Sequence, residues 1–214
     1  MCFSAEASFT ASIALAAISF ASYQRITKSK QLPLLGLPIG FALQQFLEGL
    51  VWLSFKYSFN PILSQLVTYG FLFFAFIFWP TYIPLVLTKL ERKIKSRKFL
   101  TGLTVLGSIV SASFLVILIA GGATAEMANC YVLYRLGVIF SYAQLLVIGL
   151  IYLLVTVGAM LSSSLRGMRV LGIATLSSFV VAQYFYYLVA VSVWCFFAAL
   201  LSLLIYWIIG LNRA

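Results

Sequence analysis

The chain alternates long stretches that hold almost no charge with short ones that hold nearly all of it. From Phe99 to Ala120 it reads FLTGLTVLGSIVSASFLVILIA, without one ionisable side chain. As a helix those residues would extend roughly 33 Å, enough to cross the hydrocarbon core of a bilayer. A soluble domain cannot expose such a surface, and 64% hydrophobic against 8% charged residues leaves too little charge to cover one. Seven stretches of this kind divide the sequence: Ala5–Tyr23, Leu34–Phe55, Pro61–Leu87, Phe99–Ala120, Leu136–Leu161, Met168–Tyr187 and Val191–Leu211. The expected architecture is therefore all-α, a polytopic seven-helix membrane bundle forming a single domain over residues 1–214. The last boundary rests on length, because QYFYYLVAVS (Gln183–Ser192) contains no proline or glycine, yet the run is too long for a single crossing.

Charge placement gives an orientation. The net charge of +10 does not form a basic and aromatic stripe on a soluble face, so nucleic acid is not the expected partner. Twelve of the fourteen basic residues fall in alternate connections: Arg25, Lys28 and Lys30, then KLERKIKSRK, then Arg166 and Arg169, then Arg213. Lys56 and Arg135 take the other side. The positive-inside rule then predicts an outer N-terminus and a cytoplasmic C-terminus, which an odd number of helices accommodates. MCFSAEASFT has no basic leader and no convincing cleavage pattern, so the first helix is expected to be retained. The implied location is a cytoplasmic (inner) membrane, with the lipid bilayer as the first partner.

One apolar run carries an expensive residue. FALQQFLEGLVWL (Phe41–Leu53) places Gln44, Gln45, Glu48 and Trp52 on one face of a helix, with Glu48 roughly 12 Å from the Lys56 end. Both amides are one turn from the carboxyl and can donate to it. Buried carboxylates in membranes cost a few kcal/mol and mark sites. The expectation is an outward-facing pocket centred on Glu48, with Gln44, Gln45, Trp52, Glu6, Gln144, Gln183, Tyr186 and Trp194 as candidate ligand contacts. Aromatic walls would suit a small organic cation or an amphiphile, and the carboxyl a cation or a proton-coupled solute. The plain reading of Ser4 and Glu6 is a helix cap and a favourable charge on the helix dipole.

MCFSAEASF at the start, QQFLEGLVW in the second helix and SVWCFFAAL in the last resemble a family of uncharacterised prokaryotic membrane proteins with no assigned activity. The resemblance implies a membrane protein with Cys2, Gln44, Gln45, Glu48, Trp52, Trp194 and Cys195 as motif positions, and it implies no mechanism. Cys2, Cys130 and Cys195 all fall toward the outer side, where one disulfide with a spare thiol is open, as are three inert thiols. With no histidine in the chain, no metal site and no cofactor is expected.

Pro80 and Pro84 should break the backbone ladder of the third helix. Small residues in LTVLGSIVSASF would permit close helix contact. Three functions are open at this point: binding or transport of a small ligand in the Glu48 pocket, an accessory subunit or assembly factor packed on another membrane protein or a second copy, and an intramembrane enzyme acting on lipid. The first is preferred, because the third has no candidate base and the second no specific signal.

Overall fold

The computed structural model describes residues 4–128 and 131–212. Six helical stretches among them are long and apolar enough to cross a membrane: Ala5–Arg25, Ser29–Lys56, Pro61–Leu90, Ile94–Gly121, Tyr142–Ser162 and Met168–Leu211. This is the signature of an integral membrane protein.

The first two stretches form an antiparallel pair. Helix α1 (Ala5–Arg25) starts at Ser4, whose hydroxyl accepts the Ala7 N–H at 3.3 Å. Its buried residues are Ser8, Ala11, Leu15, Ser19 and Ser22, a stripe at helical spacing of mostly small side chains. Small residues let backbones approach where lipid provides no hydrophobic drive. That stripe lies on α2 (Gly36–Lys56), and the Ser12 hydroxyl donates to the Ala42 carbonyl at 2.8 Å. One turn further out, the Phe9 ring packs beside Phe46 and fills the space over Gly49.

The third stretch runs as α3 (Pro61–Leu72), a π-helical turn (Phe73–Phe78) and α4 (Trp79–Leu90). The ladder expected to break at Pro80 instead widens just ahead of it, with the Trp79 N–H reaching five residues back to Phe74. Proline has no N–H to give, so the turn before it relaxes. Two of the carbonyls in that turn take side-chain donors: Ala75 from the Tyr152 hydroxyl at 2.5 Å, Ile77 from Ser111 at 2.6 Å.

Helix α5 (Ile94–Gly121) begins five residues before the expected Phe99, its first turns carrying Lys95, Arg97 and Lys98. Gly107 sits so close to α4 that a Cβ there would lie 1.9 Å from the Pro80 carbonyl oxygen. The small residues Gly107 and Ser111 thus serve contact within the chain.

An antiparallel β-hairpin follows, β1 (Ala123–Ala128) with β2 (Tyr131–Leu136), pairing Ala123 with Leu136 and Ala128 with Tyr131. Strands were not expected. The helix foreseen from Leu136 starts at α6 (Tyr142–Leu153), continues through a second π turn (Leu154–Gly158) and ends as α7 (Ala159–Ser162). None of the α6 residues is buried.

The final stretch of 44 residues contains α8 (Met168–Tyr186), a 3-10 turn (Tyr187–Val189), α9 (Ala190–Leu201) and α10 (Leu204–Leu211). It doubles back at the 3-10 turn. The Trp194 indole stands 5.1 Å from the Phe179 ring and its N–H points to the Thr175 carbonyl at 3.4 Å. Gly167, just before α8, lies against Trp207 and Ile208 of α10, and Asn212 bonds both backbone groups of Arg166.

The connections gather at two ends. At one, Gln31 donates to the Asn212 carbonyl at 2.8 Å and Asn212 holds Arg166. There the Glu91 carboxylate accepts the Ser164 N–H at 2.7 Å, the Ser164 hydroxyl and the Lys93 N–H at 3.0 Å. Burial pushes this carboxyl up, but the Ser164 and loop-backbone donors outweigh it and hold Glu91 below the usual carboxylate range. The basic connections meet at this end. The hairpin, the α2–α3 turn and the 3-10 turn occupy the other.

Candidate functional site

Glu48 lies on the buried face of α2 and is 2% exposed. Its carboxylate accepts the Ser192 hydroxyl from α9 and the Gln45 amide at 3.3 Å. Ser192 stands just beyond the 3-10 turn, so this bond joins α2 to the doubled-back half of the last stretch. Gln44, fully buried, accepts the Trp79 indole N–H at 2.7 Å, and Phe41 stacks on the same indole at 3.9 Å. The π turn ahead of Trp79 helps set the position of this ring along α4. The Gln44 amide also lies near the Cys195 thiol without a hydrogen bond to it.

From the other side the hairpin contributes Tyr134. Its ring stacks on Phe71 at 4.5 Å, and its buried hydroxyl is close enough to Glu48 and Cys195 for electrostatic coupling. Several buried polar atoms in this region have no partner among the described residues: Ser8 Oγ, Gln44 Nε2, Gln45 Oε1, Trp52 Nε1 and Tyr134 Oη. Unpaired polar groups away from water are costly and rare, so such a concentration makes this cluster a candidate site.

The open space lies beside this cluster. Glu48 is sealed beneath Ser192, and the larger cleft begins on the far side of Cys195. It has a volume of about 730 Å³ and runs between α6, the loop after β2, and the α8–α9 pair. Its walls are mainly apolar and aromatic: Phe76, Phe114, Ile148, Phe179 and Trp194. Gln183 and Arg135 supply polar points, and Arg135 is held to Glu126 at 2.9 Å on the hairpin surface. Gly149 leaves a gap in the α6 wall, since a Cβ there would meet nothing within 4 Å. Deeper in, a narrow apolar cavity of about 40 Å³ shares Tyr152, Trp194 and Cys195 with the cleft.

The residues named from sequence separate into groups. Gln44, Gln45 and Glu48 come together as one cluster. Trp52 is on the same face, a turn further out, edge-on to Phe55. Trp194 and Gln183 line the cleft rather than the carboxyl. Tyr186 packs against Tyr131 at 5.4 Å, while its neighbours Tyr184 and Tyr187 are exposed. Gln144 is placed away from the cluster, forming a capping box with Ser141 at the start of α6. Glu6 is exposed in the first turn of α1 and feels Lys56 rather than Glu48. Cys195 is a free, buried thiol, and Cys2 and Cys130 lie outside the described residues. The groups that interact with Cys195 are Glu48, Gln44, Tyr134 and Tyr152, none of them cationic. Among the described residues no group of three or more Cys, Asp or Glu could hold a metal ion.

Ser192, Trp79 and Tyr134 complete the cluster and were not foreseen. Ser192 opens the SVWCFFAAL stretch and Trp79 sits in FWPTYIP, so both were in view without a sign of their partners. Tyr134 depended on a hairpin in a segment read from sequence only as a connection between two helices.

Fold and site together describe a helical membrane protein with a buried carboxyl–amide cluster backing an aromatic cleft. The chain belongs to the family of unknown function DUF6629, which matches it over residues 1–214. Comparison with curated proteins and with solved structures returns no match.

Proposed function

We propose that the protein is a seven-span membrane protein that binds an amphiphile in the cleft beside α6. The doubling back of Met168–Leu211 supports counting it as two crossings, since 44 residues of straight helix would extend roughly 66 Å. The gathering of the basic connections at one end supports an N-terminus outside and a C-terminus in the cytoplasm, and with it a cytoplasmic-membrane location.

The observation that carries the binding reading is the cleft itself. About 730 Å³ is within the range of ligand sites, and its apolar walls with a few polar points suit an alkyl chain bearing a small polar head. No residue of α6 is fully buried, so an occupant would add packing to a helix anchored chiefly through Tyr152. The Glu48 cluster then acts as rigid backing: it fixes α9, and so Trp194 and Cys195, against α2.

Native mass spectrometry of gently extracted protein tests the reading. Wild type is expected to carry an adduct of lipid mass, and Gly149→Trp, which fills the cleft from its open wall, to lose it while remaining folded. Bare wild type, or an adduct equally held by Gly149→Trp, contradicts it. A stoichiometric protein partner in place of lipid would favour the accessory-subunit reading, which the bare α6 also supports.

A further inference from the structure

We propose that the cluster around Glu48 binds a small monovalent cation of sodium's class. This concerns a different site from the cleft and stands or falls separately from the amphiphile reading.

The side chains that interact with Glu48 are Ser192, Gln45, Tyr134 and Cys195, and none carries a positive charge. A carboxylate this deep in a membrane helix needs compensation, because an unpaired charge there costs a few kcal/mol. A proton would neutralise it. It would also leave the other buried oxygens of the cluster as they are: Gln45 Oε1, Tyr134 Oη and Ser8 Oγ, each without a partner among the described residues. Ser8 belongs to this group by depth. It is one turn outward of Ser12, which bonds Ala42, so it faces α2 near the level of Gln45.

A cation uses what a proton does not. Oxygen donors are available from several elements: Glu48 and the Ser192 hydroxyl in direct contact, Tyr134 on β2 interacting with the same carboxyl, Gln45 with an unpartnered oxygen on the amide that bonds Glu48, and Ser8 on α1 with an unpartnered buried hydroxyl. Oxygen-only donor sets suit alkali and alkaline-earth ions, whereas transition metals favour nitrogen and sulfur. With a single carboxylate the set balances one positive charge, which selects a monovalent ion.

The test is the thermal midpoint of purified protein in detergent, titrated with sodium chloride against choline chloride at constant ionic strength and pH. Sodium is expected to raise the midpoint saturably while choline does not. Tyr134→Phe removes one oxygen and keeps the ring on Phe71, so its half-saturating concentration should rise about tenfold. Glu48→Gln should abolish the response with helical content retained, and if that variant does not fold, Tyr134→Phe alone decides. Equal responses to sodium and choline, stabilisation that follows pH without following sodium, or an unchanged sodium response in Tyr134→Phe each overturn the proposal.

Discussion

Two of the four carboxylates in the chain are buried, and each is held by a serine from a distant part of the sequence. Glu48 takes Ser192, and Glu91 takes the backbone and hydroxyl of Ser164. The two differ in setting. Glu91 stands at a bundle end, where loop amides hold the ionised form and fasten the α4–α5 connection to the one before α8. A carboxyl depressed on folding stabilises the protein above its unfolded value, near 4.5, and loses that contribution as pH falls through the lower folded value. Wild type should therefore melt a few degrees above Glu91→Gln at pH 7, and the margin should shrink as pH drops below 4.5. A margin constant with pH would assign the difference to packing. At this scale the sequence displayed the local half of the site. The i,i+3 relation of Gln45 to Glu48 is written into helix geometry, whereas Ser192 lies 144 residues away and only the fold brings it near.

Helix α5 shows how an element carries information that its composition hides. Its glycines look alike in sequence, yet a Cβ on Gly107 would meet the Pro80 carbonyl oxygen at 1.9 Å and one on Gly102 would meet nothing within 4 Å. Gly107→Ala is therefore expected to cost about 2 kcal/mol, by forcing α4 and α5 apart. Gly102→Ala should be neutral or slightly stabilising, since alanine is the better helix former. Chemical unfolding in mixed micelles compares them, and equal effects would mean that the α4–α5 approach is not tight. The hairpin and the π turns were not legible for a related reason. Apolar content announces a crossing, and YVLYRL (Tyr131–Leu136) sits in a short connection between two much longer apolar runs. Its alternating pattern is too short to stand out against that background. Pro80 did signal a disturbance, but whether a helix breaks or widens depends on what donates to the carbonyls of that turn, here the Tyr152 and Ser111 hydroxyls.

The whole molecule has a basic end and a hairpin end, with the cleft opening toward the latter beside α6. Cysteine labelling with an impermeant reagent, in a background without the native thiols, tests the proposed orientation and span count together. Ser58→Cys and Leu188→Cys should both react on intact cells, and Ser96→Cys only after lysis. If Leu188→Cys is shielded while Ser58→Cys reacts, the last stretch does not cross twice. At this scale the membrane class was legible in the sequence, because apolar length is a property of whole segments. The cleft beside α6 had no counterpart in that reading. A face of polar residues on α2 implied a hollow around Glu48, and tertiary packing closed that hollow with Ser192 while leaving α6 bare. The cleft is therefore the claim to measure. Crystals grown with a fatty acid brominated near mid-chain should show anomalous bromine signal between Gly149 and Phe179. Signal confined to the outer faces of the bundle, by Val105 and Ile109, with none in the cleft, would contradict it.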